Sequence, residues 1–228
     1  MCGRYTLRSV DRIRLKLADA GQLELDDMVP RFNIAPGQSV LAILDLEQQT
    51  FAQMLLWGLV PSWSKEPKGF INARAETLAE KPSFSESFQR RRCLIPADGF
   101  YEWKRTGRAR QAFFFQMKDE APFAFAGVWD EWKKDGVSTA SCAIVTTRAN
   151  ELLEPIHDRM PVILTEECYK LWLDPRAPAS ELKKLLVPLP AAEMKSHPVG
   201  SGVNHPKIDD LELIRRVDIE RGTTPSLF

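Results

Sequence analysis

The spacing of hydrophobic residues predicts a short helix near the start of the chain. In the stretch SVDRIRLKLADAG, Val10, Ile13 and Leu17 recur at helical intervals and would share one face. Ser9 is a typical N-cap residue before this pattern, and Gly21 is a typical residue at a helix end. The pattern therefore predicts an amphipathic helix that begins after Ser9 and ends at Gly21.

The next hydrophobic runs are short, which is typical of strands rather than helices. VLAILDL at 40–46 and FAQMLLWGLV at 51–60 are separated by the polar EQQT and predict a β-hairpin. RCLIPADGFYEWK at 92–104 predicts a strand that is interrupted at Asp98 and Gly99.

Three further runs in the middle of the chain are apolar, β-branched or aromatic, and turn residues bound each of them. They are QAFFFQMK at 111–118, PFAFAGVWDEW at 122–132 and ASCAIVTT at 140–147. Runs of this composition favour strands, so the sequence predicts a meander of antiparallel strands here.

Helical patterns surround these strands. The predicted helices are SFSESFQRRR at 83–92, ANELLEPI at 149–156, TEECYKLWL at 165–173 and ASELKKLLV at 179–187, with a strand at MPVILT. The polar, turn-rich DIERGTTPSLF at 218–228 predicts a flexible tail. The order of elements predicts one α+β domain over 2–217, and no G-x-G-x-x-G follows a strand as a Rossmann fold would require.

Composition narrows the classes of function. The 228 residues are 44% hydrophobic and include 31 basic and 31 acidic residues, so contact with nucleic acid would require local clusters of cations. No apolar run is long enough for a transmembrane helix and no signal-peptide core is present, which predicts a cytoplasmic protein without membrane contact. Four cysteines without a C-x-x-C pair argue against a zinc site or a disulfide framework, and no metal or cofactor is expected.

Cys2 is the first candidate for chemistry. Initiator methionine is normally removed before a small residue, and removal would leave Cys2 with an α-amine beside its thiol. This 1,2-aminothiol can form an imine with an aldehyde and then close a thiazolidine ring, because the thiol is held next to the imine. Arg4, two residues away, is expected to lower the pKa of the thiol. From position alone, a cysteine that merely follows the start codon is the better explanation.

INARAET at 71–77 is the second candidate. Asn72, Arg74 and Glu76 alternate, so on a strand they would share one face. An amide beside a guanidinium suits recognition of a phosphate or another oxyanion. An exposed polar strand face is the alternative.

Two titratable residues lie among apolar ones. Glu102 stands between Tyr101 and Trp103, and burial there would raise its pKa towards the range that a general acid or base needs. A surface glutamate on an amphipathic strand is the alternative. His157 precedes a predicted strand in IHDRMPVIL, as residues of catalytic loops often do, or it is a structural histidine satisfied by Asp158.

Aromatic residues and prolines cluster in RFNIAPGQ and WGLVPSWSK. Pro36 and Trp63 could provide a platform on which a nucleobase stacks, with Arg31 and Lys65 near for phosphates. The alternative for Trp63 is a place in the hydrophobic core.

Taken together, these stretches resemble the SRAP family, the SOS-response-associated peptidase-like proteins. The matching motifs are MCGRY, RFNIAPGQ, WGLVPSW, INARAET, CLIPADGFYEW and AIVTTRAN followed by IHDRMPVIL, in the order of the family. The resemblance extends from Cys2 to about residues 212–214. Several separate motifs in one order are far more specific than any single motif.

The resemblance implies a function and a fold. SRAP proteins recognise abasic sites in single-stranded DNA and crosslink to them through the N-terminal cysteine, which shields the lesion. An opened abasic deoxyribose presents an aldehyde, the partner that an aminothiol requires. The implied fold is a single α+β domain with an antiparallel, barrel-like sheet and short flanking helices. Single-stranded DNA is the implied partner of a monomer that is cytoplasmic and bound to the nucleoid when on DNA.

The resemblance also implies roles for single residues. Cys2 would be the nucleophile, Glu102 the acid/base carboxylate, His157 the residue that assists sugar-ring opening and reversal, and Asn72 the one that holds the crosslinked residue. Arg4, Arg74 and Arg159 would clamp phosphates, and Pro36 and Trp63 would stack near bases. Which of Glu102 and His157 acts as acid and which as base stays open.

Two other classes of function remain at this point. An N-terminal-cysteine peptidase, including an autoproteolytic one, would use the same nucleophile with Glu102 and His157. A noncatalytic single-strand-binding module would not need Cys2 at all. Peptide substrates would not require phosphate clamps and a stacking platform, which favours the abasic-site hypothesis.

Overall fold

The computed structural model describes residues 2–9, 29–46, 49–107 and 109–218. The helix predicted after Ser9 lies outside these residues, as does the predicted tail beyond Asp218. The described strands are β1 Tyr5–Leu7, β2 Arg31–Ile34, β3 Ser39–Leu46, β4 Gln49–Trp57, β5 Asn72–Arg74, β6 Arg92–Ala97, β7 Gly99–Thr106, β8 Ala109–Met117, β9 Phe123–Lys134, β10 Val137–Arg148, β11 Arg159–Pro161, β12 Ile163–Leu164 and β13 Met194–Val199. The helices are α1 Ser85–Arg90, α2 Glu166–Leu173 and α3 Ala179–Lys184.

The larger sheet closes on itself. The strands β10, β4, β3, β6 and β9 pair in that order, and β9 also pairs with β10, which completes a ring. The β4–β10 pair is parallel and the other pairs of the ring are antiparallel. Closure leaves no unpaired edge within the ring. The fold is thus the predicted single α+β domain with a barrel-like sheet.

The second sheet is antiparallel, has the order β13-β8-β7-β1-β2, and holds the start of the chain. Tyr5 pairs with Phe100 and Thr6 with Gly99, so β1 lies along β7. Gly99 is required at this place because a Cβ atom there would lie 2.1 Å from the ring of Phe114. This pairing brings the N-terminal residues next to the strand that carries Glu102.

One carboxylate fixes the end of β1. Asp98 is fully buried and accepts hydrogen bonds from the Thr6 hydroxyl at 2.6 Å, the Arg8 Nε at 3.0 Å and the backbone N–H groups of Arg8 and Ser9. Asp98 lies at the predicted interruption between β6 and β7. It therefore connects the second sheet to the first residues of the chain.

The predicted hairpin at 40–60 is confirmed as β3 and β4. The predicted helices within 83–92, 165–173 and 179–187 are confirmed as α1, α2 and α3. MPVILT forms the short strands β11 and β12.

The predicted meander is wrong in one connection. β8 pairs with β7 and β13, whereas β9 pairs with β6, β10 and β12, so the turn between β8 and β9 carries the chain from one sheet to the other. The hydrogen-bonding sides of β9 are already taken by barrel strands. Pairing therefore follows closure of the barrel and not order along the chain.

The helix predicted at 149–156 is wrong: the segment forms consecutive turns. The Asn150 side chain accepts hydrogen bonds from the backbone N–H groups of Leu152 and Leu153 at 3.2 and 3.1 Å, and such bonds compete with a helix. Pro155 also lacks the N–H group that a helix would need there.

The alternation predicted for INARAET holds only in part. Asn72 and Arg74 lie on β5, but a 3-10 turn over Ala75–Thr77 follows, so Glu76 is not on the strand. Within the described residues, no helix has the length and apolar content needed to span a bilayer.

Candidate functional site

Cys2 lies at the end of the second sheet, just before β1. The backbone N–H of Tyr101 donates to the carbonyl of Arg4 at 3.0 Å, which extends the pairing of β1 and β7 towards the chain start. The carbonyl of Cys2 accepts a hydrogen bond from Nδ2 of Asn72 at 3.0 Å. Cys2 is thus held from two strands that are far apart in sequence.

Asn72 belongs to the barrel side of the site. It opens β5, which pairs in parallel with β10, and it lies opposite Ile144. Its Oδ1 is buried and has no hydrogen-bond partner in the part of the chain that the structure describes. An acceptor of this kind is available to a donor that arrives with a ligand.

Glu102 is buried on β7, with 1% of its surface exposed. Burial raises its pKa to about 7, because the charged carboxylate loses its hydration. This agrees with the prediction from the neighbouring aromatic residues. A carboxyl group with this pKa can both accept and donate a proton near neutral pH.

The Cys2 thiol is protonated near neutral pH. Burial raises its pKa well above the ordinary value, and the negative charge of Glu102 raises it further. The pKa of the thiol is thus raised and not lowered as predicted, because burial outweighs the lowering contribution of Arg4, which comes from its backbone and not from its guanidinium. The guanidinium of Arg4 is partly buried and donates from Nη1 to the carbonyl of Gly3 at 2.9 Å.

His157 ends the turn segment that follows β10. Its Nδ1 accepts a hydrogen bond from the backbone N–H of Arg159 at 2.9 Å and lies 3.0 Å from Oδ1 of Asp158. Burial lowers its pKa, which favours the neutral ring. Because Nδ1 is an acceptor, we assign the proton of the neutral ring to Nε2.

Glu102 and His157 line one open cavity of about 610 Å³. Cys2 interacts electrostatically with Glu102, and Asn72 donates a hydrogen bond to Cys2. These two interactions place Cys2 and Asn72 next to the residues that line the cavity. The structure therefore brings Cys2, Asn72, Glu102 and His157 into one region. They come from four separate parts of the chain.

The three arginines predicted as phosphate clamps differ in their surroundings. Arg74 is exposed, and Arg4 is partly buried. Arg159 forms a bidentate ion pair with Glu76 and also donates to the carbonyl of Thr146 at 2.6 Å. The charge of Arg159 is therefore already balanced by a carboxylate.

Trp63 is not a core residue. It is 62% exposed and donates from Nε1 to the carbonyl of Pro82 at 3.3 Å. Pro36 is partly buried in the loop after β2, where the N–H of Gly37 donates to the carbonyl of Trp57 at 2.8 Å. Arg31 is held by Asp209 and by Oε1 of Gln38 and so is not an unpaired cation.

Sequence reasoning missed Arg105 and Arg110, which line the same cavity as Glu102 and His157. The available signal was the concentration of cations in KRTGRAR at 104–110, which contains no acidic residue. Its proximity to Glu102 along the chain was visible, but its proximity to His157 required the structure.

Comparison with known proteins agrees with this architecture. The model of the family "SOS response associated peptidase (SRAP)" matches residues 1–206. The chain is 43% identical over 221 residues to the abasic site processing protein YoqW of Bacillus subtilis, which covers 94% of this chain and 99% of that protein. It is 31% identical over 224 residues to the abasic site processing protein YedK of Escherichia coli, with coverage of 95% and 100%.

A solved structure supports the same conclusion. The crystal structure of a protein from Bacteroides thetaiotaomicron superposes with a TM-score of 0.85 at 27% identity, over 95% of this chain and 100% of that one. The family match covers most of the chain, and the sheets and helices are shared along nearly its whole length. The chain therefore belongs to the SOS response associated peptidase (SRAP) family.

Proposed function

We propose that this protein senses abasic sites in single-stranded DNA and forms a covalent thiazolidine with them through Cys2, once Met1 is removed. One observation carries the proposal. The amide of Asn72 holds Cys2 beside Glu102, a buried carboxyl group whose pKa is raised to about 7. The names of the relatives in Bacillus subtilis and Escherichia coli support processing of abasic sites as the general role.

The first step joins the Cys2 amine to the aldehyde of the opened sugar. The ionised Glu102 carboxylate takes a proton from the α-ammonium, and the neutral nitrogen attacks the aldehyde carbon. A second proton passes from the nitrogen to the former carbonyl oxygen, Glu102 returns its own proton to the resulting hydroxyl group, and loss of water gives the protonated imine. A carboxyl group that titrates near pH 7 suits both transfers.

The second step closes the ring. The Cys2 sulfur adds to the imine carbon, and the thiol proton passes to the nitrogen. In total one C=O bond is replaced by a C–N bond and a C–S bond, and one water is released. The raised pKa of the thiol supports this order, because the α-amine, with an ordinary pKa of about 7.7–8.0, becomes nucleophilic at lower pH than the thiol does.

Asn72 and His157 are proposed to position the reactants. The amide of Asn72 fixes the Cys2 carbonyl, and its buried Oδ1 can accept a hydrogen bond from the Cys2 amine or from the sugar. The neutral ring of His157 can donate from Nε2 to the sugar oxygen, which assists ring opening. The same donor and acceptor can serve the reverse reaction.

The DNA strand is proposed to run across the exposed ring of Trp63, with Pro36 nearby on the loop after β2. Stacking on such a ring requires unpaired bases, which supports a preference for single strands. Arg4 and Arg74 would contact phosphates. Arg159 would first have to exchange Glu76 for a phosphate, so we expect it to contribute less than Arg74.

A cysteine peptidase is the competing function, and the description of the family names one. A cysteine peptidase attacks with a thiolate, whose formation requires a cationic or polar environment. Burial and the charge of Glu102 oppose the Cys2 thiolate here. The environment of the thiol therefore favours the route that begins with the amine.

The test mixes protein whose loss of Met1 is verified by intact mass with a single-stranded oligonucleotide that carries one abasic site. We expect a heat-stable adduct with the mass of protein plus DNA minus one water. Cys2→Ala should form none, whereas Cys168→Ala, which removes a partly exposed cysteine elsewhere, should react as the wild type does. Absence of an adduct from the processed wild type would contradict the proposal and direct the work to peptide substrates.

A further inference from the structure

The turn between β7 and β8 concentrates positive charge. Lys104, Arg105, Arg108 and Arg110 fall within residues 104–110, where no acidic residue occurs. The whole protein has a formal net charge of zero, so this segment departs strongly from the average. Local clusters of this kind, and not bulk charge, determine where a polyanion binds on a neutral protein.

Two of these cations face each other across the hairpin. Arg105 and Arg110 are directly paired residues of β7 and β8, and their Cα atoms are therefore about 4.5–5.5 Å apart. Like charges in directly opposite positions destabilise a hairpin. The charges of Arg105 and Arg110 therefore do not stabilise the hairpin. An external anion bound between the two arginines would offset their repulsion.

These arginines differ in their partners from several other arginines of the described chain. Arg8, Arg31, Arg91 and Arg159 each have a carboxylate within ion-pair distance. Arg105 and Arg110 are exposed, and neither forms a hydrogen bond or an ion pair with any residue that the structure describes. Both guanidinium groups are available to a ligand.

The pair lies beside the reactive region. Arg105 and Arg110 line the cavity that Glu102 and His157 also line. The charge of Arg105 reaches His157, where it contributes to the lowering of the histidine pKa. A phosphate bound by these arginines would therefore lie close to Glu102 and His157, where the sugar is proposed to react.

The register along β10 places this cavity and Trp63 on opposite sides of Asn72. The segment before Trp63 is fixed near Ser141, because Val60 N–H donates to the Ser141 hydroxyl at 2.9 Å. Asn72 lies opposite Ile144, and the turn with His157 follows Arg148. Ser141 and Arg148 are about 23 Å apart along an extended strand.

We propose that Arg105 and Arg110 bind backbone phosphates of the DNA strand on the side of the lesion opposite to Trp63. The strand would stack on Trp63 on one side, present the lesion to Cys2, and leave across the β7–β8 hairpin. Two guanidinium forks opposite each other match one or two phosphate groups. This assignment rests on the proposed function, since it takes an abasic strand as the ligand.

The test separates binding from reaction by using a tetrahydrofuran abasic analogue, which has no aldehyde. Two single-stranded oligonucleotides carry the analogue near the 5′ end or near the 3′ end, so that the strand extends on one side only. Affinities are measured by fluorescence anisotropy between about 50 and 200 mM salt. The variant is Arg105→Gln with Arg110→Gln, and the control is Arg90→Gln with Lys183→Gln, which removes two exposed cations outside the cavity.

We expect the variant to lose on the order of tenfold in affinity for one oligonucleotide, with a salt slope reduced by about 1.4, as for two phosphate contacts. The other oligonucleotide and the control pair should be bound as by the wild type. Equal loss on both oligonucleotides, or no loss on either, would overturn the proposal. Failure of the wild type to crosslink a true abasic site would instead refute the proposed function. The binding result could still be interpreted, because the analogue has no aldehyde and cannot be crosslinked.

Discussion

At the scale of single residues, the environment of Cys2 and Glu102 is the decisive feature. The thiol is kept protonated and the carboxyl group is tuned to about pH 7 by the same burial. Two groups with opposite tasks thus receive their properties from one desolvated region. The consequence is that the pH dependence of crosslinking reports on Glu102.

We predict that Glu102→Gln lowers the rate of crosslinking by about 10²–10⁴-fold, the usual contribution of a general acid/base group. The wild-type rate should rise with pH through about 7, as Glu102 ionises, whereas the rise in the variant should shift to about 7.7–8.0, the range in which the α-amine titrates. Single-turnover adduct formation between pH 5 and 9 measures both effects. An unchanged acidic limb in Glu102→Gln would assign it to another group, of which His157 is the first candidate.

Glu102 also predicts how stability depends on pH. Its folded-state pKa of about 7 lies above the unfolded value of about 4.3, so the stability that its protonated form provides is complete below about pH 4 and is lost as pH rises through 7. Glu102→Gln should therefore become more stable relative to the wild type as pH rises from 4 to 8. At about 1.4 kcal/mol per pKa unit, the relative change amounts to a few kcal/mol. Urea unfolding at both pH values measures it, and a constant difference would contradict the prediction.

At the scale of elements, β1 holds the segment that carries Cys2, the proposed nucleophile. Cys2 is three residues before this strand, and the strand is anchored by the buried Asp98. Removal of that charge leaves Arg8 without its partner and several N–H and O–H donors with a weaker acceptor. The effect should therefore appear in stability and in chemistry together.

We predict that Asp98→Asn lowers the free energy of unfolding by about 2–4 kcal/mol, since breaking a buried ion pair costs more than breaking one on the surface. Crosslinking should slow at temperatures where the variant is still folded, because β1 is less well held. The matched control is Glu181→Gln, which breaks the exposed pair with Lys184 and should cost at most about 1 kcal/mol. Equal losses in the two variants would show that Asp98 is not an anchor.

A second element depends on one amide. Asn33 of β2 is fully buried and donates from Nδ2 to the carbonyls of Val203, His205 and Ile208, which lie in the segment that covers this strand. We predict that Asn33→Ala lowers the free energy of unfolding by about 1–3 kcal/mol, because the carbonyls of Val203, His205 and Ile208 lose their common donor. Hydrogen exchange should increase selectively in residues 201–217. Uniform exchange across the chain would contradict the assignment of a local role.

At the scale of the whole molecule, charge is balanced and binding depends on where the unpaired cations lie. Arg8, Arg31 and Arg159 have carboxylate partners, whereas Arg74, Arg105 and Arg110 are exposed. A neutral protein with few available cations releases few counterions when it binds DNA.

We therefore predict a shallow salt dependence for binding of single-stranded DNA by the wild type. Three to four phosphate contacts correspond to a slope of log K against log salt of about −2 to −3. Titrations by anisotropy at several salt concentrations measure the slope. A slope steeper than about −5 would require more phosphate contacts than Arg4, Arg74, Arg105 and Arg110 can supply.

The local elements and the types of chemistry were predictable from short stretches of the sequence. The hairpin β3–β4, the helices α1, α2 and α3, and the candidacy of Cys2, Asn72, Glu102 and His157 follow from short-range patterns and from ordered motifs. Prediction from the sequence failed at residues 149–156, where an Asn150 side chain competes with the helix, and at the connection from β8 to β9. Local pattern does not report which distant strand accepts a hydrogen bond.

The tertiary fold sets barrel closure, the grouping of Cys2, Asn72, Glu102 and His157 in one region, and the direction of the Cys2 pKa shift. Closure requires β10 to pair with both β4 and β9, an arrangement that depends on burying two faces at once. The pKa of a thiol depends on desolvation and on charges that arrive from other strands, here Glu102 and not the neighbouring Arg4. Strand pairing and the pKa of the thiol both depend on residues that are distant in sequence. The residue types that make the chemistry possible are given by the sequence directly.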